Sequence, residues 1–172
     1  QSRMYASDGS LIATFYSQNR VVVPIKDVSE YMQKAIVARE DRRFFEHSGV
    51  DVQGVMRAFI QTYVLKRDMQ GGSSLTQQYV KNVLMVQARE DNDPIAEYHA
   101  QESTIARKLR EMLIAVQMEK MYSKPEILQG YLNIAQFGSN NLYGVETAAQ
   151  RYFNVHAKDL NLVQSATIAA IT

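Results

Sequence analysis

The sequence predicts a mainly α-helical fold, because apolar residues recur at every third or fourth position and several such stretches begin with a capping residue. Strand-like patterns are confined to the first 26 of the 172 residues. This length is enough for one domain with a sizeable core. We divide the chain into an extended segment, residues 1–26, and a helical domain, residues 27–172, and we expect both ends to be cut from a longer protein.

A short β-hairpin is predicted at the N-terminus. Asp8-Gly9 is a hairpin turn signal. The runs 11–16 and 20–23 are strand-like and flank the polar stretch 17–19. The first 26 residues therefore read as an extended linker that contains a hairpin.

Helices are predicted over most of the remaining chain. Ser29 is a candidate N-cap, and residues 74–77 and 123–126 have the capping-box pattern. The predicted helices cover residues 29–39, 51–64, 74–81, 103–121, 123–138, 143–152 and 160–172. Residues 88–101 are polar and acidic and include Pro94, so we predict a loop or a mobile insertion there.

The composition excludes several classes of protein. A net charge of +1 provides no general attraction for nucleic acid, so no nucleic-acid partner is expected. The chain has no cysteine, which excludes disulfides and thiolate metal sites. Its three histidines are scattered, and no apolar run reaches the roughly 18 residues that a membrane span needs.

The helix predicted from Ser103 separates apolar from charged side chains. Arg107, Lys108 and Glu111 share one sector, which favours a site for an anionic substrate. The alternative is a solvated face whose ion pair contributes a few tenths of a kcal/mol. A separate apolar stripe, on another side of this helix, consists of Ile105, Leu109, Met112, Leu113 and Val116.

Glu40 and Asp41 fall near the C-terminal end of a predicted helix, where the helix dipole prefers cations. Arginines at 39, 42 and 43 offset this charge. The pattern fits either a functional carboxylate pair or a charge-balanced exit loop. We predict a structural role for His47, with a hydrogen bond to backbone or to Asp51.

Residues 71–74, Gly-Gly-Ser-Ser, place backbone N–H groups at a helix N-terminus, which is a candidate anion site. The alternative is a polar surface helix. The helix that follows carries amides and a cation suited to sugar hydroxyls and phosphate oxygens, namely Gln77, Gln78, Lys81 and Asn82.

With these motifs in order, the chain resembles the peptidoglycan glycosyltransferase domain of bifunctional class A penicillin-binding proteins. The matching segments are residues 40–51, 71–82, 107–119, 124–138 and 148–169. The resemblance implies a two-lobed, lysozyme-like helical domain. It also implies polymerisation of lipid II into glycan strands by inverting glycosyl transfer, with release of undecaprenyl pyrophosphate. The stretch 88–101 looks longer and more acidic than the family's usual connection.

The resemblance also assigns roles to residues. Glu40 matches the general base and Glu111 the second essential carboxylate. For Glu111 two roles stay open: handling of the leaving pyrophosphate, with or without a divalent cation (Mg²⁺ or Mn²⁺), or orientation. No covalently bound cofactor is expected. Residues that match the substrate-binding groove are Asp41, Ser73, Gln77, Gln78, Lys81, Asn82, Arg107 and Lys108.

The implied partners are lipid II, the growing glycan strand, the bacterial membrane surface and the inhibitor moenomycin. The implied location is the outer face of the bacterial cytoplasmic membrane, with an anchoring helix and a transpeptidase domain outside this chain. For the membrane contact we single out the apolar stretch 52–65, and within it Phe59, Tyr63 and Leu65. The alternative is that these apolar residues are all buried in the core.

Two other classes of function remain open. A lysozyme-type lytic enzyme would cleave finished glycan, but neutral glycan needs no cluster of cations. A helical binding module without catalysis would show no activity that depends on Glu40.

Overall fold

The computed structural model describes residues 2–15, 20–59, 72–102, 104–138 and 142–172. Within these ranges the chain is mainly α-helical, which confirms the predicted class. The helices are α1 (Glu30–Glu40), α2 (Val52–Phe59), α3 (Leu75–Glu90), α4 (Pro94–Gln101), α5 (Ile105–Met121), α6 (Lys124–Ile134), α7 (Val145–Phe153) and α8 (Leu162–Ala170). Short 3-10 turns lie at Ile25–Asp27 and Ala157–Asp159. Of the described helices, none is long and apolar enough to cross a bilayer.

Two antiparallel strands, β1 (Ser2–Tyr5) and β2 (Leu11–Phe15), pair at the N-terminus. In the turn between them, the Asp8 carboxylate accepts a hydrogen bond from the Ser10 N–H at 2.9 Å. Gly9 has the positive φ of 84° that such a turn favours.

The run 20–23, predicted as a strand, forms none. Its backbone instead crosses α6 and α7 and bonds to their side chains. The Val21 N–H donates to the Thr147 hydroxyl at 3.1 Å, and the Val23 N–H donates to the Asn133 side-chain oxygen at 2.8 Å. These side chains satisfy backbone groups that a strand would have paired.

The hydrophobic core lies where α1, α6, α7 and α8 meet, with α1 packed along α8. The N-terminal end of α3 and the loop after α1 also contribute to it. Its largest fully buried apolar side chains are Tyr131, Phe44, Phe137, Met32, Ile36, Leu75, Ile127, Leu132, Leu160 and Ile168. This core fixes the C-terminal end of α1 against the start of α3.

The predicted caps form. The Ser29 hydroxyl accepts from the Tyr31 N–H at the start of α1. Capping boxes begin α3 at Ser74 and α6 at Ser123. Helix α5 begins after Thr104, whose hydroxyl caps Arg107; Ser103, the predicted start, lies outside the described residues.

The prediction of a loop at 88–101 is wrong. Helix α3 continues to Glu90, and a separate helix, α4, starts at Pro94. Proline is tolerated here because it occupies the first turn, where its missing N–H is not needed. The Asp93 carboxylate caps α4 by accepting from the N–H groups of Ile95 and Ala96 at 3.0 and 2.9 Å.

Helix α5 turns its charged sector inward. Glu111 is 2% exposed, whereas Ile105 and Leu113 are 81% and 70% exposed, and Leu109 is exposed as well. Three residues of the apolar stripe are therefore on the outside. The buried Glu111 carboxylate has two cations, Arg107 and Lys108, to pair with.

Gly49 lies against the backbone of α5. Its φ is +85°, and a Cβ at this position would stand 2.7 Å from the Val116 nitrogen and 2.8 Å from the Ala115 carbonyl carbon. Only a residue without a side chain allows this approach. Gly49 thus brings the loop that follows Glu40 into contact with the helix that carries Glu111.

The apolar stretch 52–65 is described only as far as α2. There Val52 and Met56 are exposed. The Phe59 side chain, Tyr63 and Leu65, predicted to contact the membrane, lie outside the described residues, as do Gly71 and residues 17–19.

Candidate active site

One cavity, with a volume of about 420 Å³, brings together side chains from α1, α3, α5 and the residues before α3. It collects nine of the ten residues predicted for the site. They are Glu40, Ser73, Gln77, Gln78, Lys81, Asn82, Arg107, Lys108 and Glu111. Arg39 also lines it and was not predicted; its only signal in the sequence is that it directly precedes Glu40.

Glu40 is the last residue of α1 and remains partly exposed to the cavity. Its Oε2 accepts a hydrogen bond from the Gln78 Nε2 at 2.9 Å. The hydroxyl of Tyr131 donates in turn to the Gln78 Oε1 at 3.3 Å, which fixes the orientation of the amide. One Glu40 oxygen is thereby held, and the carboxylate still faces the cavity.

Tyr131 is a neutral buttress for this arrangement. Burial raises the pKa of Tyr131, and the nearby charge of Glu40 adds to the effect. The phenol therefore keeps its proton and stays a hydrogen-bond donor to Gln78.

Glu111 is held by two cations. Its Oε1 accepts from Arg107 Nη1, and its Oε2 lies 3.5 Å from Lys108 Nζ. The Glu111 side chain is 2% exposed, whereas Lys108 is 38% exposed. Such a buried, doubly paired carboxylate fixes both cations in place.

Lys108 extends from Glu111 to the start of α3, where its Nζ donates to the Ser73 hydroxyl. Burial lowers the pKa of Lys108, while Glu111 acts in the opposite direction. The charges of Arg107 and Lys81 add to the lowering. Three cations therefore lie close enough to influence one another at one wall of the cavity, an arrangement suited to an anion that carries more than one charge.

Asp41 does not line the cavity. It is 7% exposed, and its Oδ2 accepts from the Leu75 N–H at 2.9 Å and lies 2.8 Å from His47 Nε2. The carboxylate therefore anchors the loop after α1 to the N-terminus of α3. The expected His47–Asp51 contact is replaced by this one, because Asp51 pairs with Arg43 at 3.0 Å.

Gln77 lines the cavity and also supports the start of α3. Its Oε1 accepts from the Ser74 N–H in the capping box. Its Nε2 is buried and makes no hydrogen bond with any residue that the structure describes.

The donor set does not favour a divalent cation at Glu111. Both oxygens of this carboxylate already face cations. In the described part of the chain, no group of three or more acidic or histidine side chains is placed to hold a metal ion. We therefore derive no step through a metal.

A helical domain with a carboxylate and several cations around one polar cavity defines a class of site that processes anionic substrates. The chain belongs to the transglycosylase family, whose model matches residues 8–172.

Its relatives include several penicillin-binding proteins. It is 34% identical to penicillin-binding protein 1F of Bacillus subtilis over 170 residues, which are 99% of this chain and 22% of that protein. It is 38% identical to penicillin-binding protein 1A of Aquifex aeolicus, covering 99% of this chain and 21% of that one. It is also 38% identical to penicillin-binding protein 4 of B. subtilis, over 99% of this chain and 25% of that protein. The chain thus spans about a fifth to a quarter of the length of these relatives.

Proposed function

We propose that this transglycosylase domain polymerises lipid II into glycan strands, with inversion at the anomeric carbon and release of undecaprenyl pyrophosphate. The observation that carries the proposal is the cavity itself. It pairs a partly exposed carboxylate, Glu40, with a wall of cations. Transfer from a sugar diphosphate needs these two elements, a base for the nucleophile and positive charge for the leaving group.

Glu40 is the proposed general base. It accepts the proton of the acceptor sugar's 4-hydroxyl as that oxygen forms its bond with the donor's anomeric carbon. The bond between this carbon and the pyrophosphate oxygen breaks at the same time. The Gln78 amide orients Glu40, and its own orientation is set by Tyr131.

The leaving pyrophosphate is assigned to Lys81, Arg107 and Lys108. Its departure needs no general acid, because cations stabilise the charge that develops on it. Glu111 holds Arg107 and Lys108 and so acts by orienting them. Ser73, Gln77 and Asn82 are assigned to sugar and phosphate oxygens along the cavity wall.

The wider setting follows from the same proposal. We assign to the domain a two-lobed, lysozyme-like arrangement, supported by a cavity that residues of α1, α3 and α5 line together. The expected location is the outer face of the bacterial cytoplasmic membrane. There residues 1–26 follow an anchoring helix, and the full-length protein carries a transpeptidase domain. Moenomycin is expected to bind in the cavity near Glu40.

A lytic, lysozyme-type reaction fits the cavity less well. The substrate of a lytic reaction is neutral at the bond that breaks. Such a reaction would therefore give the cations Lys81, Arg107 and Lys108 no anionic group to bind. A non-catalytic binding module would leave the partly exposed Glu40 equally unexplained.

The deciding experiment incubates the protein separately with lipid II and with finished glycan strands. We expect lipid II to be lengthened and finished strands to be unchanged. Glu40→Gln should retain the fold and lose at least about a hundredfold in rate, since an amide accepts no proton. Glu30→Gln, an exposed carboxylate on the same helix, is the matched control.

Shortened glycan would establish the lytic alternative instead. A Glu40→Gln protein that polymerises at more than about a hundredth of the normal rate would remove Glu40 from the role of base.

A further inference from the structure

Helix α4 is held in place by one arginine. Arg89, near the end of α3, donates from Nε to the Glu97 carboxylate of α4 at 2.6 Å. Its Nη1 donates to the Tyr143 hydroxyl at 2.9 Å. Tyr143 is itself 7% exposed and precedes α7. Arg89 therefore ties α4 to Tyr143, which lies 54 residues along the chain from Arg89.

The far end of α4 meets the proposed site. Arg107 Nε donates to the main-chain oxygen of Glu102, the residue that caps the C-terminus of α4. Helix C-termini attract cations, so this end of α4 is a favourable place for a guanidinium. The same guanidinium donates from Nη1 to Glu111. Arg107 is thus held from two sides, by α4 and by the buried carboxylate.

We propose that Arg89 is a positioning residue for the transfer reaction: by bridging Glu97 and Tyr143 it holds α4 so that the Glu102 carbonyl orients Arg107. The inference rests on the proposed function, in which Arg107 faces the leaving pyrophosphate. Arg89 does not line the cavity and touches no substrate in this scheme.

Arginine suits this bridging task better than lysine. Its planar fork presents several N–H groups at fixed angles, so it reaches Glu97 and Tyr143 at the same time. The hydrogen bonds that Arg89 donates to Glu97 and Tyr143 raise the pKa of Arg89, so its guanidinium keeps its charge at any pH of interest.

The first test is kinetic. Arg89→Ala is expected to lower kcat for lipid II polymerisation by about tenfold with little change in KM, because small displacements of a positioned group cost up to about a hundredfold in rate. Arg89→Lys should recover only part of the loss. Glu90→Ala, at the exposed neighbouring position of α3, is the control and should match the parent protein.

The second test asks whether Arg89 acts through Arg107. In an Arg107→Ala background, adding Arg89→Ala should cost less than about twofold, because the group that it positions is already gone. A residue that only stabilises the fold would lower activity by the same factor in both backgrounds. Multiplicative effects of the two changes would therefore overturn the inference.

Two outcomes separate this inference from the proposed function. If Arg107→Ala polymerises lipid II normally, the leaving-group role of Arg107 fails, and the inference fails with it. If Arg107→Ala is impaired while Arg89→Ala is normal, only the inference fails. If Arg89→Ala does not fold, Tyr143→Phe takes its place in the double-mutant cycle with Arg107→Ala. This change removes only the hydroxyl that accepts a hydrogen bond from Arg89.

Discussion

Glu40 keeps part of its carboxylate open to the cavity, whereas Glu111 is 2% exposed between two cations. A proton acceptor must reach the substrate, and Glu40 has that access. A carboxylate whose two oxygens already face Arg107 and Lys108 has little capacity left to accept a proton. The surroundings of the two side chains thus support the proposal that Glu40 acts as the base and that Glu111 orients the cations.

The titration of Lys108 provides a prediction at this scale. Burial lowers the pKa of Lys108 below its ordinary value of 10.5, with Glu111 opposing the shift. The ammonium is needed for the leaving pyrophosphate and is lost as pH rises through the lowered pKa. Activity should therefore fall on the alkaline side at a lower pH than an ordinary lysine would allow.

Lys108→Arg should move this alkaline limb to higher pH, because a guanidinium stays protonated. The measurement is the initial polymerisation rate as pH is raised from neutral. Lys34→Arg, at an exposed lysine paired with Glu30, should leave the limb unchanged. Identical limbs for Lys108→Arg and the parent protein would contradict the prediction.

At the scale of whole elements, the helix caps could be predicted and the burial of helix faces could not. Caps at Ser29, Ser74 and Ser123 depend on residues within one turn, so local sequence determines them. The orientation of α5 depends on partners that other elements supply. Lys108 meets Ser73 across 35 residues of sequence, and no local periodicity reports such a contact.

The difference between local and distant determinants also explains why α4 was predicted as a loop and the site was predicted well. The local signals of α4, a proline and several acidic residues, resemble those of a loop, and its link to Tyr143 through Arg89 lies far along the chain. The cavity residues, by contrast, carried chemistry that core packing did not explain, and nine of the ten predicted positions meet in it. Asp41 differs because its side chain is buried and its Oδ2 contacts the His47 ring and the Leu75 N–H.

Helix α7 carries a second prediction, on stability. Burial opposes ionisation of Glu146, but hydrogen bonds from the Ala157 N–H, His156 and Gln150 outweigh it and hold the pKa of Glu146 below its ordinary value of 4.5. The stabilisation is therefore present above about pH 4.5 and lost as pH falls through the lowered pKa.

Glu146→Gln removes this charge. Losing a charge-assisted hydrogen bond costs about 2 kcal/mol, which for a domain of this size corresponds to about 4–8 °C in Tm near neutral pH. The difference in Tm between Glu146→Gln and the parent protein should narrow below about pH 4.5, where the parent loses the same interaction. Glu30→Gln, at an exposed ion pair, is the control and should change little. A gap that stays constant down to pH 3 would refute the assignment.

At the scale of the molecule, α5 turns its charged face inward and leaves apolar side chains on the outside. Ile105, Leu109 and Leu113 are exposed at successive turns of α5. On α2, Val52 and Met56 are exposed as well, and this helix begins three residues after Gly49, which contacts α5. Apolar groups grouped in this way are typical of a surface that meets lipid or another protein.

We expect this surface to contact the membrane that holds the substrate. Leu109→Glu and Leu113→Glu should weaken binding to anionic vesicles and lower activity on full-length lipid II. Their Tm should hold, because both side chains are already exposed. Val163→Glu, at an exposed apolar residue of α8, is the matched control and should have neither effect. Equal losses from all three changes, or unfolding of the α5 variants, would rule out this surface.

At Gly49 two backbone segments pack directly against each other, with no side chain between them. One is the loop that leaves the Glu40 end of α1, and the other is the helix that carries Glu111. Any side chain at position 49 would collide with the main chain at Ala115 and Val116, which cannot rotate away. Even one methyl group would therefore wedge the loop outward and alter the gap that the sugar and the pyrophosphate must share. The width of the cleft therefore depends on the absence of a Cβ atom at position 49.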